Sequence, residues 1–182
     1  LYIGGSDSAV GGSGTLTLSD SGLVDVTGTT KIWSSGTVNL NGGSLTTGTL
    51  DNEGLFAVSN LAAFESTGTL TNSGTLTNSG TLNFANGSTF DNTGGTLTND
   101  GTINSSGGNL LVENEGVFNN NWTMSNQVGS QGGGGVITNS ATLNNTINGT
   151  ITNGAGTSLV NSGQLTNDGA LNISSGSTLT TS

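Results

Sequence analysis

The sequence contains no cysteine, no proline and no histidine, and its only basic residue is Lys31. Without cysteine, the chain can form neither disulfides nor thiolate metal sites. Without histidine, cysteine and arginine, nucleophilic triads of the usual kind cannot be built, so we expect no enzymatic activity. A single lysine cannot neutralise the phosphates of a nucleic acid, and we therefore expect no nucleic-acid binding.

Charged residues and long apolar runs are also scarce. Eleven carboxylates and one lysine give a formal net charge of −10, so an acidic membrane surface would repel the chain. No apolar run approaches the roughly 18–20 residues that a membrane-spanning helix needs, and we expect no membrane insertion. Aromatic residues make up only 4% of the chain, as in disordered proteins, but the regular spacing of the apolar residues argues against disorder.

What the chain has in abundance is glycine, asparagine and a short repeat. There are 33 glycines and 25 asparagines, and residues 68–82 read GTLTNSGTLTNSGTL. In each Gly-Thr-Leu-Thr-Asn unit, threonines alternate with leucine, and this period of two predicts a short strand. The Asn-Ser-Gly links predict corners, because asparagine and glycine tolerate the positive φ of tight turns. If such units stack on one another, the side-chain amides of asparagines can also hydrogen-bond along the stacking axis.

A longer period, of about 20 residues, groups these strands into coils. Leu76 is followed one such period later by Leu97, Leu82 by Ile103, and Phe90 by Leu110. The motif DNEGLF at 51–56 returns three periods later as ENEGVF at 113–118. Single strands of this length cannot form a core, whereas stacked coils can. The residues that we expect in the dry core columns are Leu70, Leu76, Leu82, Phe90, Leu97, Ile103 and Leu110.

The predicted fold is therefore all-β: a right-handed parallel β-helix, or β-solenoid, with about three short strands and about 20 residues per turn. Residues 1–182 would form a single solenoid of about nine coils. The stretch SNQVGSQGGGG interrupts the rhythm and predicts an irregular loop near 125–135.

The motifs also carry a family likeness. LYIGGSDSAVGGSGTLTLSDSGLVDV at 1–26, GTVNLNGGSLTTGTL at 36–50 and the tandem GTLTN units resemble the passenger repeats of bacterial autotransporters and the β-helical rods of filamentous-haemagglutinin-type adhesins. The resemblance covers nearly the whole chain. It implies an extracellular or cell-surface β-solenoid that serves in adhesion, as a stalk or as a fibre.

Several side chains are candidates for binding chemistry. Asp51, Glu53, Glu113 and Glu115 lie in two copies of one pattern and could offer oxygen ligands to calcium, but the calcium-binding G-G-x-G-x-D motif is not met, since Leu16 replaces its aspartate. We expect no other cofactor. Asp20 and Asp25 are close in sequence, as are Asp51 and Glu53, and each pair could supply the acids that a polysaccharide hydrolase would need.

Two further sets of side chains are candidates for surface binding. The aromatic side chains of Tyr2, Trp33 and Trp122 could stack on sugars, whereas the five phenylalanines are expected in or near the core. The Thr-x-Thr pairs could match an ice lattice if they stack on one face, as Thr75 and Thr96 would if they lie one coil apart.

The sequence thus predicts a structural extracellular solenoid, either an adhesin stalk or a filament-forming subunit. Its partners would be further copies joined end to end, or glycans or proteins of a host or neighbouring cell surface. The alternatives left open are a carbohydrate-binding module, a polysaccharide-active β-helix enzyme and, as a minor alternative, an ice-binding surface.

Overall fold

The computed structural model describes residues 1–105, 111–127 and 135–182, and these residues form parallel strands and turns without helices. Most strands span four residues, in agreement with the short Gly-Thr-Leu-Thr-Asn repeat. The strands are β1 (Tyr2–Ile3), β2 (Gly14–Ser19), β3 (Leu23–Ile32), β4 (Gly36–Asn41), β5 (Ser44–Asn52), β6 (Leu55–Val58), β7 (Ala63–Ser66), β8 (Thr69–Asn72), β9 (Thr75–Asn78), β10 (Thr81–Phe84), β11 (Thr89–Asn92), β12 (Thr96–Asn99), β13 (Thr102–Ser105), β14 (Leu111–Asn114), β15 (Val117–Asn120), β16 (Thr123–Asn126), β17 (Val136–Asn139), β18 (Thr142–Asn145), β19 (Thr150–Asn153), β20 (Ser158–Asn161), β21 (Gln164–Asn167), β22 (Ala170–Ile173) and β23 (Thr178–Thr181).

The strands form two parallel sheets. The eight-stranded sheet has the order β2-β4-β6-β9-β12-β15-β18-β21. The fifteen-stranded sheet has two arms, because β3 and β5 are long enough to serve both. Arm 1 continues from the first half of β5 through β7, β10, β13, β16, β19 and β22, and arm 2 continues from its second half through β8, β11, β14, β17, β20 and β23. Each coil therefore contributes one strand to each of three faces, as the sequence predicted.

The register confirms the coil period. Leu76 lies opposite Leu97, and Leu82 lies opposite Ile103, in neighbouring parallel strands. The solenoid has about 21 residues per turn. It makes about seven turns, fewer than the nine that we expected. Individual turns differ in length: Asn114 and its partner Asn139 are 25 residues apart.

One expected pair is wrong. The sequence suggested that Phe90 stacks on Leu110 in the following coil, but Phe90 lies opposite Val112. Leu110 itself lies outside the described residues, as do residues 128–134 of the loop expected near 125–135. Ser125 and Asn126 from that stretch belong to strand β16.

The core is a set of apolar columns that run along the solenoid axis. The side chains of Leu70, Leu76, Leu82, Phe90, Leu97 and Ile103 have no exposed surface. The phenylalanines belong to these columns: Phe56 lies opposite Leu76, and Phe118 lies opposite Leu97. The rings of Phe56 and Phe64 meet edge to face at 5.0 Å, and those of Phe84 and Phe90 stack at 5.6 Å. Full burial of a leucine or phenylalanine side chain contributes about 1.5–3 kcal/mol, so these columns stabilise the fold substantially.

Glycine in the Asn-Ser-Gly and Asn-Asp-Gly links serves a different purpose from the one predicted, whereas Gly87 and Gly94 in other turns do have positive φ. Gly74, Gly80 and Gly101 do not have positive φ. A Cβ on Gly101 would instead lie 2.3 Å from the carbonyl oxygen of Gly80 in the preceding coil, and one on Gly74 would lie equally close to Gly54. The coils thus stack backbone against backbone at the corners, and only glycine allows this approach.

Candidate functional site

Two ladders of asparagine side chains run through the interior of the solenoid. The repeat places asparagine two residues after the buried leucine, so its side chain also points inward. Within each ladder, every Nδ2 except the last donates to the Oδ1 of the asparagine in the following coil, at 2.6–2.8 Å. The last, in Asn161 and in Asn167, donates to a main-chain carbonyl oxygen. The arm 2 ladder is Asn52, Asn72, Asn92, Asn114, Asn139 and Asn161, and the ladder of the eight-stranded sheet is Asn78, Asn99, Asn120, Asn145 and Asn167.

The same amides also fasten the corners. The Nδ2 of Asn99 donates to the carbonyl oxygen of Thr123, and that of Asn114 donates to Thr142, both one coil further on. Each of these amides therefore joins its own coil to a side chain and to the main chain of the next coil. A buried amide without partners would cost about 1–3 kcal/mol, whereas these asparagines are paired and rigidify the stack.

The ladders have a direction and a starting point. All of their donors face the C-terminal coils, so the first Oδ1 of a ladder receives no bond from an asparagine of the preceding coil. In the eight-stranded sheet, the main-chain amide of Gly80 donates to the Oδ1 of Asn78 at 3.2 Å. Asn52 begins the arm 2 ladder opposite Ile32, which has no donor, and the buried Oδ1 of Asn52 has no hydrogen-bond partner. The Oδ1 of Asn126, which begins a short ladder to Asn153 in arm 1, is unpaired in the same way.

Two of the calcium candidates are engaged by the single lysine. Lys31 lies opposite Asp51 in the neighbouring strand. Its ammonium donates to Oδ2 of Asp51 and to Oε1 of Glu53, the latter at 2.5 Å, and lies 4.7 Å from the centre of the Trp33 ring. Because these carboxylates already pair with an internal cation, the structure does not favour Asp51 and Glu53 as calcium ligands.

The environment of Lys31 also stabilises its charge. Partial burial lowers the pKa of Lys31, but the hydrogen bonds and the charges of Asp51 and Glu53 raise it by more, so the pKa lies above its ordinary value of 10.5. The lysine therefore remains charged at neutral pH and ties two coils together.

The other acidic candidates lie apart from any built site. Glu113 is exposed on arm 2 opposite Asp91, and Glu115 is exposed at the following corner. Asp25 faces outward from β3, while Asp20 occupies a corner with a φ of 56°. Within the described ranges, no three acidic residues lie together in a way that could hold a metal ion.

A shallow groove lies beside the corner that contains Asp20. Its lining consists of glycine and serine main chain together with Leu23, Leu61 and Ala63. The side chain of Leu61 is 95% exposed, and its φ of 68° is unusual for leucine. The lining contains no titratable side chain, so the groove lacks an acid or a base for hydrolysis.

The aromatic candidates for sugar contact have different environments. Trp33 is held in place, because its Nε1 donates to the carbonyl oxygen of Ser6 at 2.8 Å and its ring lies beside Lys31. Tyr2 and Trp122 are about half exposed, and they lie far apart in the stack, on β1 and just before β16. All five phenylalanines are fully buried.

Charge is unevenly distributed among the three outer faces. The strands of arm 2 carry Lys31, Asp51, Asp91 and Glu113, whereas the strands of the eight-stranded sheet carry no charged residue. Thr75 and Thr96 lie side by side on this uncharged face, as do Thr77 and Thr98. Thr69 lies on arm 2 instead, so the neighbouring units of 68–82 do not share a face.

Sequence reasoning missed two features of this structure. It placed the asparagines at corners, but they are buried at strand ends, and the signal for this was their spacing of two positions from leucine. It also left Lys31 without a role, although Asp51 follows it by 20 residues, close to one coil period.

Comparison with known proteins adds no assignment. The described residues include no apolar helix of membrane-spanning length. No family model matches the chain, and no curated protein or solved structure gives a significant match.

Proposed function

We propose that this β-solenoid is a mechanical stalk of an extracellular or cell-surface adhesin. The observation that supports this proposal is the pair of asparagine ladders, which run parallel to the axis inside continuous parallel sheets. A pulling force along the axis would have to separate two neighbouring coils. It would therefore have to break the main-chain hydrogen bonds of all three faces and the side-chain hydrogen bonds of the ladders at the same time. Bonds that share a load in this way resist force better than bonds that open one after another.

A filament of separate copies is less well supported than a stalk. The eight-stranded sheet presents Leu18 at one edge and Asn167 at the other, in the same inward column. A head-to-tail contact that continued the register would place Leu18 of one copy opposite Asn167 of the next copy. The Asn167 Nδ2, which donates to the carbonyl oxygen of Gly169, would then find no Oδ1 acceptor to continue the ladder.

Single-molecule pulling tests the stalk. The chain would be held by handles at its two ends, and we expect it to resist as one cooperative unit. The Asn120→Leu variant, which interrupts one ladder, should yield at a lower force, and Asn172→Leu, an outward asparagine on β22, should behave like the unaltered chain. Extension at the low force of an unstructured polypeptide would contradict the proposal.

Light scattering and electron microscopy over a range of concentrations test the choice between stalk and filament. A stalk should remain a population of short separate rods at every concentration. Fibres that lengthen with concentration would instead support the filament. Glycan arrays test the carbohydrate-binding alternative in parallel, since a bare stalk should bind no glycan on the array.

A further inference from the structure

The outer surface of the eight-stranded sheet is neutral in a chain of net charge −10. Its strands present two outward columns in register, and threonine is the commonest residue in both. The first column is Thr15, Thr37, Leu55, Thr75, Thr96, Val117, Thr142 and Gln164, and the second is Thr17, Asn39, Ala57, Thr77, Thr98, Asn119, Asn144 and Thr166.

The threonine hydroxyls on this face are available for binding. In the part of the chain that the structure describes, none of these threonine side chains hydrogen-bonds to the protein. Corner threonines differ: the Oγ1 of Thr157, for example, donates to the carbonyl oxygen of Gly154 at 2.7 Å. A hydroxyl can donate one hydrogen bond and accept two, so the face offers a regular set of unused donors and acceptors.

The positions of these hydroxyls are held by the interior. Thr77 and Thr98 immediately precede Asn78 and Asn99, whose amides are joined at 2.7 Å behind the sheet. Neighbouring strands lie about 4.7–4.9 Å apart, and outward residues of one strand are separated by about 6.6–6.8 Å. Thr75, Thr77, Thr96 and Thr98 thus form a rectangular array with a fixed repeat in two directions.

We propose that this face binds ice. The surface of hexagonal ice is a neutral lattice of water oxygens whose repeats are close to those of the array, so several hydroxyls can join the lattice at once. The methyl groups of the threonines, together with Leu55 and Val117, limit competing disordered hydration beside each hydroxyl.

The borders of the face favour ice over a second copy of the chain. Glu53 and Glu115 lie at the corners along one border, and Asp20, Asp100 and Asp168 lie at the corners along the other. Two copies packed face to face would bring acidic borders together, and like charges repel. A water lattice carries no net charge and meets no such repulsion.

Slow growth of ice from a dilute solution of the unaltered chain tests the proposal. We expect the chain to be enriched in the ice fraction relative to serum albumin and to suppress the coarsening of small ice crystals. Replacing Thr77 and Thr98 by tyrosine should reduce this enrichment about tenfold, equivalent to about 1.4 kcal/mol of binding. Thr77→Val with Thr98→Val should also reduce it, and this pair keeps the side-chain shape if the tyrosines prevent folding.

The matched control replaces Thr71 and Thr138 by tyrosine. These threonines hold the same outward position on arm 2, the charged face, so enrichment should not change. Equal loss in both variant pairs would overturn the assignment to the eight-stranded sheet. Enrichment no greater than that of albumin would overturn the proposal, as would binding to cellulose powder without binding to ice, or a dimer that the Thr77 and Thr98 changes dissociate. None of these results bears on the mechanical test of the stalk.

Discussion

One inward column of the eight-stranded sheet changes its chemistry along the axis. Apolar side chains such as Leu40 and Val58 occupy it in the first coils, which we call the apolar region. Asparagines such as Asn78 and Asn99 occupy it in the later coils, which we call the ladder region. The column begins with Leu18, Leu40 and Val58 and continues with five asparagines. Leu40, Val58, Asn78 and Asn99 are all buried, and the strands that carry them follow the same path in one sheet. The backbone of the solenoid therefore accepts either an apolar stack or an amide ladder at this position.

The two solutions differ in what they demand of neighbouring coils. An apolar side chain is satisfied by contact with any apolar neighbour, because the hydrophobic effect has no direction. An amide needs an acceptor on one side and a donor on the other. Where the two kinds of column meet in arm 2, Ile32 leaves the Oδ1 of Asn52 unpaired. In arm 2, the change from an apolar side chain to asparagine thus carries a local penalty. In the eight-stranded sheet, where Asn78 follows Val58, the main-chain amide of Gly80 donates to the Oδ1 of Asn78 instead.

The largest expected effect comes from breaking a ladder at its centre. Asn120→Leu removes the bonds to Asn145 and to the carbonyl of Thr150, and it deprives Asn99 of its acceptor. Because several buried polar atoms lose their partners, the free energy of unfolding should fall by about 3–5 kcal/mol. Urea unfolding followed by circular dichroism would measure the loss.

The control for this change is Asn172→Leu. Asn172 faces outward on β22, and its substitution should change the free energy of unfolding by less than about 0.5 kcal/mol. An equally small loss for Asn120→Leu would mean that the ladders contribute little to stability.

A smaller loss should follow from widening a corner of the ladder region. Gly101→Ala places a Cβ against the carbonyl oxygen of Gly80, and the coils must separate, which costs about 1–3 kcal/mol. Gly28 lies in the apolar region, where an added Cβ would meet no atom within 4 Å. Thermal unfolding of Gly101→Ala and Gly28→Ala would compare the two positions, and similar melting temperatures would contradict the close approach at Gly101.

A single substitution can move the boundary between apolar side chains and asparagines in an inward column. Ile32→Asn supplies a donor to the unpaired Oδ1 of Asn52, whereas Leu40→Asn introduces an amide between Leu18 and Val58, where no ladder exists. Both changes lose apolar contacts, but Ile32→Asn should be the less destabilising of the two by about 1–2 kcal/mol. Urea midpoints of the two variants measure this difference, and the reverse order would show that Asn52 already has a partner.

The smallest expected effect on stability comes from the ion pairs of Lys31 with Asp51 and Glu53. Since Lys31 has a raised pKa, its stabilising contribution is complete below the ordinary value of 10.5 and is lost as the pH rises through the higher pKa of the folded chain. Asp51 and Glu53 are more than one-third exposed, so we expect only about 0.2–1 kcal/mol. Lys31→Met should remove this contribution to the fall in the free energy of unfolding at alkaline pH. Unfolding measured at about pH 9 and about pH 11.5 would check this.

The period of the repeat predicted the partners wherever a coil has the average length. Leu76 and Leu97 illustrate the success, because the coil between them matches the average period of the solenoid. Phe90 illustrates the failure: the connection from β13 to β14 is longer than the corner from β12 to β13, and Val112 takes the place expected for Leu110. Added residues in a connection shift the period without changing the strand pattern, and sequence spacing alone does not reveal at which corner they lie.

The amino-acid sequence by itself determined the all-β class, the three short strands per coil and the inward columns of leucine and phenylalanine. These features follow from period-two alternation and from the regular return of similar units along the chain, which are local or periodic properties. Only the tertiary structure decided that the asparagines are buried inside the solenoid, that Lys31 pairs with Asp51 and Glu53, and that charge is absent from the strands of one face. Each of these depends on which side chains from different coils come together, and that is set by the three-dimensional stacking of the coils.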